Sequence, residues 1–171
     1  MKLKKLILAS RLAALLLVIG CTSSALQQAE RNKQSFLRGV EAINSRNWDA
    51  LDALIASNYV RHCQATPDVT VNSLEDFKAF LKQDAATFPD SRMTIHQVVA
   101  QGNLVAFYGT YVGTQEGPMG PFPPSHKKMS LEFCGVHRVE NGKLVETWLT
   151  WDNLAALTQL GHFPPPMQQT Q

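Results

Sequence analysis

Hydrophobic positions recur at helical spacing through the first half of the chain and at strand spacing through the second. Over 29–44, Phe36, Val40 and Ile43 share one side of a helical wheel, with Lys33, Arg38 and Glu41 elsewhere on it. Asn47 is placed to cap a second helix whose stripe is Trp48, Leu51, Leu54 and Ile55. Tyr59-Val60-Arg61-His62-Cys63 reads as a short extended piece. Ser73 opens a third helix, with Asp76 at the reciprocal capping position and Phe77, Phe80, Leu81 and Phe88 as its stripe; Pro89 ends it. After Ser91 the period drops to two. Residues 92–100 and 104–113 form a hairpin about Gly102-Asn103, and 127–140 and 143–152 a second about Asn141-Gly142, a dipeptide that favours a type I′ turn. The Gly- and Pro-rich connection 114–126 is long enough to be either a lid or an ordinary loop. Asn153–Leu160 is a closing helix before Gly161. Helices followed by consecutive antiparallel strands predict an α+β fold, with the helices packed on one face of a curved antiparallel sheet.

The first 20 residues follow another logic. Lys2, Lys4, Lys5 and Arg11 precede a nine-residue apolar run, 12–20, and then Cys21. A run of that length suits an export signal (~7–15 residues) and falls short of the ~20 needed to span a bilayer. Val18-Ile19-Gly20-Cys21 resembles a bacterial lipobox, which implies diacylation of the Cys21 sulfur, cleavage before it and acylation of the new amine; a plain signal ending in cysteine is the alternative. The expected plan is a signal at 1–20, an acylated, flexible tether at 21–28 and a folded domain at 29–171. Thr22, where Asp would favour retention at the inner membrane, directs the expectation to the periplasmic face of the outer membrane. At 171 residues, 44% hydrophobic and 18% charged, the composition suits one globular domain plus such a segment. The net charge of +2 resides in that segment: without 1–20, 12 basic residues face 14 acidic ones. A slightly acidic body argues against a nucleic-acid partner.

Carboxylates and histidines that fall on apolar faces are the candidates for chemistry. If Asn141-Gly142 is a two-residue turn, counting outward pairs His137 with Glu146, Gly135 with Trp148, Phe133 with Thr150 and Leu131 with Asp152. His137, Glu146, Trp148 and Asp152 then share one face. A carboxylate there is expensive unless paired or in use, so Asp152 is the candidate acid/base; its competing role is N-cap of the closing helix. His137 and Glu146 could instead form a cross-strand ion pair worth ~0.2–1 kcal/mol. His62, at the end of the extended piece, is a candidate pocket residue or a structural histidine, and His96 reads as solvent-facing. No His or Cys pair has a closed zinc spacing, and neither a phosphate loop nor G-x-S-x-G occurs, so no metal or phosphate-loop chemistry is expected. Cys63 and Cys134 are expected as buried thiols, with a disulfide the alternative.

Several segments in this order resemble one family. Asn47-Trp48-Asp49-Ala50-Leu51, Tyr59-Val60-Arg61-His62, Phe77-Lys78-Ala79-Phe80, Phe88-Pro89-Asp90, Pro123-Pro124-Ser125-His126-Lys127-Lys128, Glu140 through Trp148, and Trp151-Asp152 through Gly161 are similar to SnoaL-like polyketide cyclases (the ester cyclase family). The resemblance runs from about Ser35 to Gly161, with His126 in place of a usual glycine and Cys63 in place of a polar residue. It implies the cone-shaped fold of the nuclear transport factor 2-like superfamily, with helices on the concave face. It also implies a homodimer through the outer sheet face and a cofactor-free pocket. An aspartate near the end of the last strand is the family's general acid/base for aldol closure, and Asp152 matches it; His62 matches a histidine that lines the pocket. The expected function is acid/base chemistry of cyclase or isomerase type on a small apolar carbonyl compound, with Asp152 and His62 catalytic and Trp148, Tyr59, His137 and Tyr108 lining the pocket. The alternative is a non-catalytic periplasmic lipoprotein that binds a hydrophobic small molecule or a protein partner.

Overall fold

Five strands, β1 (Ile55–Cys63), β2 (Arg92–Gln101), β3 (Leu104–Thr114), β4 (Lys128–Glu140) and β5 (Lys143–Trp151), form one curved, unclosed sheet in the order β1-β5-β4-β3-β2. The computed structural model describes residues 24–164. The signal at 1–20 and Cys21 lie outside the described residues. β2 to β5 pair antiparallel, as expected, but β1 runs parallel to β5. β1 is also longer than the predicted extended piece. It starts at Ile55, so α2 is the single turn Leu51–Leu54, with Asn47 Oδ1 accepting from Ala50 N at 3.2 Å. Ladder bonds to β5 satisfy backbone groups that a longer helix would have used.

α1 spans 24–44, so residues 24–28, expected as tether, are helical. Its buried residues Asn32, Ser35, Phe36 and Ala42 recur at helical spacing. Two of them are polar because they fasten the hairpin tips: Asn32 Nδ2 donates to Gly102 O at 2.8 Å and Ser35 Oγ to Gly142 O at 3.1 Å. Near its end Asn44 exchanges two hydrogen bonds with the Met93 backbone, which covers the β2 edge. α3 (Leu74–Thr87) has the predicted cap, Ser73 Oγ accepting from Asp76 N at 3.0 Å. α4 (Asn153–Leu160) ends on Gly161 in the left-handed conformation, at φ +78.

The connection 115–127 is fastened rather than free. Gln115 is fully buried, donates to the carbonyls of Gly117 and Pro123 and accepts from His162 Nε2. The amides of Glu116 and Gly117 bond to Thr87 O. Of the two roles open to this segment, that network supports an ordinary loop.

The second hairpin departs from the predicted register. Asn141 and Gly142 both have positive φ, as a type I′ turn requires, and Glu140 faces Lys143. Val139 pairs with Leu144, but Arg138 then pairs with Glu146, leaving Val145 as an extra residue in β5. From there outward every pairing shifts by one: His137 faces Thr147, Gly135 faces Leu149 and Phe133 faces Trp151. A one-residue slip moves side chains to opposite faces. The predicted grouping of His137 with Glu146, Trp148 and Asp152 therefore does not form.

Candidate functional site

The predicted site residues fall in three places. His137 is buried in the core between the rings of Phe36 (4.8 Å) and Phe107 (4.9 Å). Its Nδ1 is 2.5 Å from Thr147 Oγ1, which also accepts from the buried Tyr59 hydroxyl at 2.8 Å. Desolvation lowers the His137 pKa to about 3 and raises that of Tyr59 to about 12, so both are neutral. His62 and Trp148 lie on the outer sheet face, their rings stacked at 5.4 Å. His62 Nε2 is 2.8 Å from Glu146 Oε1, and Arg138 holds the other oxygen at 2.6 Å. Arg138 first, then His62, keep the Glu146 carboxyl below its ordinary range. The expected His137–Glu146 pair is thus replaced by Arg138–Glu146 and His137–Thr147. Tyr108 is on the outer face as well, beside His96 at 5.9 Å. Asp152 occupies the third place. It is exposed, and its Oδ1 accepts from Ala155 N at 2.9 Å as the N-cap of α4.

Cys63 and Cys134 are free thiols, Cys63 half-buried and Cys134 exposed rather than buried. They stand on β1 and β4 with β5 between them. Two strand spacings, roughly 9–10 Å, exceed disulfide reach. No group of three or more His, Cys, Asp or Glu that could hold a metal ion occurs among the described residues.

A different constellation occupies the concave face. The α3 stripe Phe77, Leu81, Phe88 continues through Asp84 at helical spacing, which brings a carboxylate against the sheet. Asp84 is half-buried, and its Oδ2 accepts from the Tyr111 hydroxyl at 2.9 Å. Burial raises the Asp84 pKa, against the opposing pull of that hydrogen bond and of Arg46 and Arg61. Burial and the Asp84 charge together push the Tyr111 phenol up. Arg46 is fastened to the carbonyls of Ile43, Phe88, Pro89 and Ser91. Arg61, on β1, places its guanidinium carbon 4.6 Å from the Phe80 ring centroid and 5.8 Å from that of Trp151. Tyr111 and Trp151 are half-buried and bridge two cores, one beneath α1 and α3, the other beneath α4 around Phe88, Leu131 and Leu160. A weakly acidic carboxyl with a phenol donor beside it can both take and give a proton.

Two features of the sequence mark this group. A carboxylate inside an apolar helical stripe is costly without a purpose. Tyr111, not Tyr108, has the parity of the buried Val105 and Phe107. Two open hollows lie away from Asp84 and Tyr111. One, of about 960 Å³, separates the first turns of α1 from the hairpin tips; the other, of about 660 Å³, is bordered by Arg61, Thr66, His62, Val69, Cys134 and Trp148.

Among curated proteins none matches the chain. Solved structures do. IdmH, a candidate polyketide cyclase from Streptomyces antibioticus, is 29% identical with a TM-score of 0.68, over 76% of this chain and 98% of its own. AclR, a candidate hydroxylase from Streptomyces galilaeus, is 25% identical with a TM-score of 0.68, over 80% of this chain and 99% of its own. An epoxide hydrolase of M. tuberculosis shares the fold alone, at 14% identity and a TM-score of 0.63, over 77% of this chain and 90% of its own. A profile of the SnoaL-like polyketide cyclases matches residues 34–160. With that match spread over the same nuclear transport factor 2-like fold, the chain belongs to the SnoaL-like polyketide cyclase family.

Proposed function

We propose that this family member carries out cofactor-independent acid/base chemistry, of cyclase or isomerase type, on a small carbonyl compound held against the concave face. The observation that carries the reading is the half-buried Asp84 carboxyl, raised in pKa and hydrogen-bonded to Tyr111. In this reading the Asp84 carboxylate takes a proton from the carbon next to a carbonyl. The C–H electron pair forms the enolate double bond, and the carbonyl pair moves onto oxygen, where the Tyr111 hydroxyl, turned away from the newly protonated Asp84, donates to it. The first carbonyl then re-forms as the enolate carbon bonds to a second carbonyl of the same molecule, whose electron pair moves onto its own oxygen and takes the proton from Asp84; in an isomerisation Asp84 returns that proton to a different carbon instead. Asp152 remains the position that matches the family's acid/base, but its cap bond and exposure support it less well as the proton carrier.

The test is deuterium uptake from D2O at the α-carbon of a panel of aryl ketones and 1,3-diketones, followed by NMR. Asp84→Asn is expected to abolish uptake and Asp152→Asn to retain it; the reverse result would return the role to Asp152. Absence of uptake throughout favours the second reading, a non-catalytic binder of hydrophobic molecules, which the capping role of Asp152 supports. Mass spectrometry of co-purifying material would then identify its ligand.

We propose further that the chain is exported and anchored through acylated Cys21 at the periplasmic face of the outer membrane. Val18-Ile19-Gly20-Cys21 supports this reading. Cys21→Ser should abolish lipid modification of the N-terminal peptide and release the protein from membranes. Two acyl chains give durable attachment where one gives reversible binding. A homodimer through the outer sheet face completes the proposal.

A further inference from the structure

The acid/base reading leaves one group on the concave face whose charge acts on Asp84 only at a distance, without a direct ion pair. Arg61 is only 7% exposed, yet none of the ion pairs among the described residues includes it. Its one hydrogen-bonded side-chain donor among those residues is Nη1, which reaches Thr66 Oγ1 at 3.2 Å. No fully buried side-chain nitrogen or oxygen there lacks a partner, so the Nε and Nη2 groups that bond to nothing are still reached by solvent. Those two nitrogens lie on one edge of the guanidinium and match the two oxygens of a carboxylate. Stacking on Phe80 and Trp151 stabilises a cation but does not replace a counter-ion. The same rings offer flat apolar surface beside the charge.

We infer that Arg61 anchors the carboxylate of a planar, conjugated keto acid, which lies against Phe80 and Trp151 and turns its enolisable carbon toward Asp84 and Tyr111. The inference rests on the concave face being the site of the acid/base chemistry, and it assigns the substrate class. Arg61 is a binding residue here and takes no proton. The rings select flatness, and the guanidinium edge selects a carboxylate over its neutral ester.

The test uses the full chain, with phenylpyruvate and its methyl ester as probes in isothermal titration and deuterium exchange. The acid is expected to bind about tenfold or more tightly than the ester, the gain of one charge-assisted pair. Arg61→Gln, with its melting temperature measured in parallel, should remove that preference. Arg61→Lys should restore part of it, since the charge returns without the fork. If Arg61→Gln fails to fold, the acid–ester comparison on the unmodified protein still decides. Equal affinity, a preference for the ester, binding of neither, or a preference that survives in folded Arg61→Gln would each overturn the inference. Exchange without an acid preference overturns the Arg61 anchor alone; an acid preference without exchange overturns the acid/base reading alone.

Discussion

Asp84 and Asp152 respond differently to substitution, because one carboxylate is desolvated and the other caps a helix. The folded-state pKa of Asp84 is raised, so the native protein holds that proton more tightly than the unfolded chain. Its contribution is present below the ordinary carboxylate range and is lost as pH rises through the folded value. Where Asp84 is ionised, Asp84→Asn removes a desolvated charge while the amide oxygen can still accept from Tyr111. Its melting temperature there should equal or exceed that of the unmodified protein, with the gap narrowing as pH falls through the raised folded-state value. Asp152→Ala instead removes the α4 cap and should cost about 1 kcal/mol, whereas Asp152→Asn keeps the acceptor. A fall in stability for Asp84→Asn would make that carboxylate structural. His137 carries the opposite pH signature, since its folded pKa is depressed to about 3 from 6.5. Its contribution is complete above pH 6.5 and is lost as pH falls toward 3. His137→Phe should therefore flatten the acid limb of a stability–pH curve measured by urea unfolding.

The elements whose signals are local were legible in the chain. α3, α4 and the strands of both hairpins lie within a residue or two of their predicted bounds, because caps, Asn-Gly turns and a period-2 pattern are short-range features. Non-local features were not. The parallel partnership of β1 with β5 has no local marker, and the run Ile55–Cys63 is neither a clean helix nor a clean strand pattern. The bulge at Val145 involves no glycine or proline, so the turn-based register failed one residue past Leu144 and carried the predicted site to the wrong face. Asp84 is obscured in the sequence, because it lies in a helix whose apolar stripe Phe77, Leu81 and Phe88 has the pattern of core packing. Glycine contacts test the observed register directly. A Cβ on Gly135 would lie 2.4 Å from Trp148 O and 2.9 Å from the Phe107 ring. The carbonyl is backbone and cannot yield, so Gly135→Ala should destabilise by roughly 1–3 kcal/mol. In α1, Gly39 has nothing within 4 Å, and Gly39→Ala should stabilise by about 0.5–1 kcal/mol. Equal effects at both sites would contradict the β4–β5 pairing.

The two sheet faces divide the work of the whole molecule. Helices α1 and α3 cover the concave face, but no described helix covers the outer one, where Val99 is 67% exposed, Leu104 44% and Trp148 41%. Sheet width of roughly 20 Å over strands of 30–40 Å is comparable with the ~800 Å² per partner of a stable interface. The His62–Glu146–Arg138 cluster beside Trp148 adds charges that a two-fold axis would bring close to their symmetry mates. Sedimentation at micromolar concentration should therefore give twice the chain mass. Trp148→Glu puts a charge at the apolar part of this face and should give monomers. Because Trp148 is exposed in the single chain, the same variant should keep its secondary structure and lose little intrinsic stability. Its deuterium exchange should also persist, since Asp84, Tyr111 and Arg61 lie across the sheet from it. Loss of exchange together with dimerisation would instead mean that the concave site depends on the assembled pair.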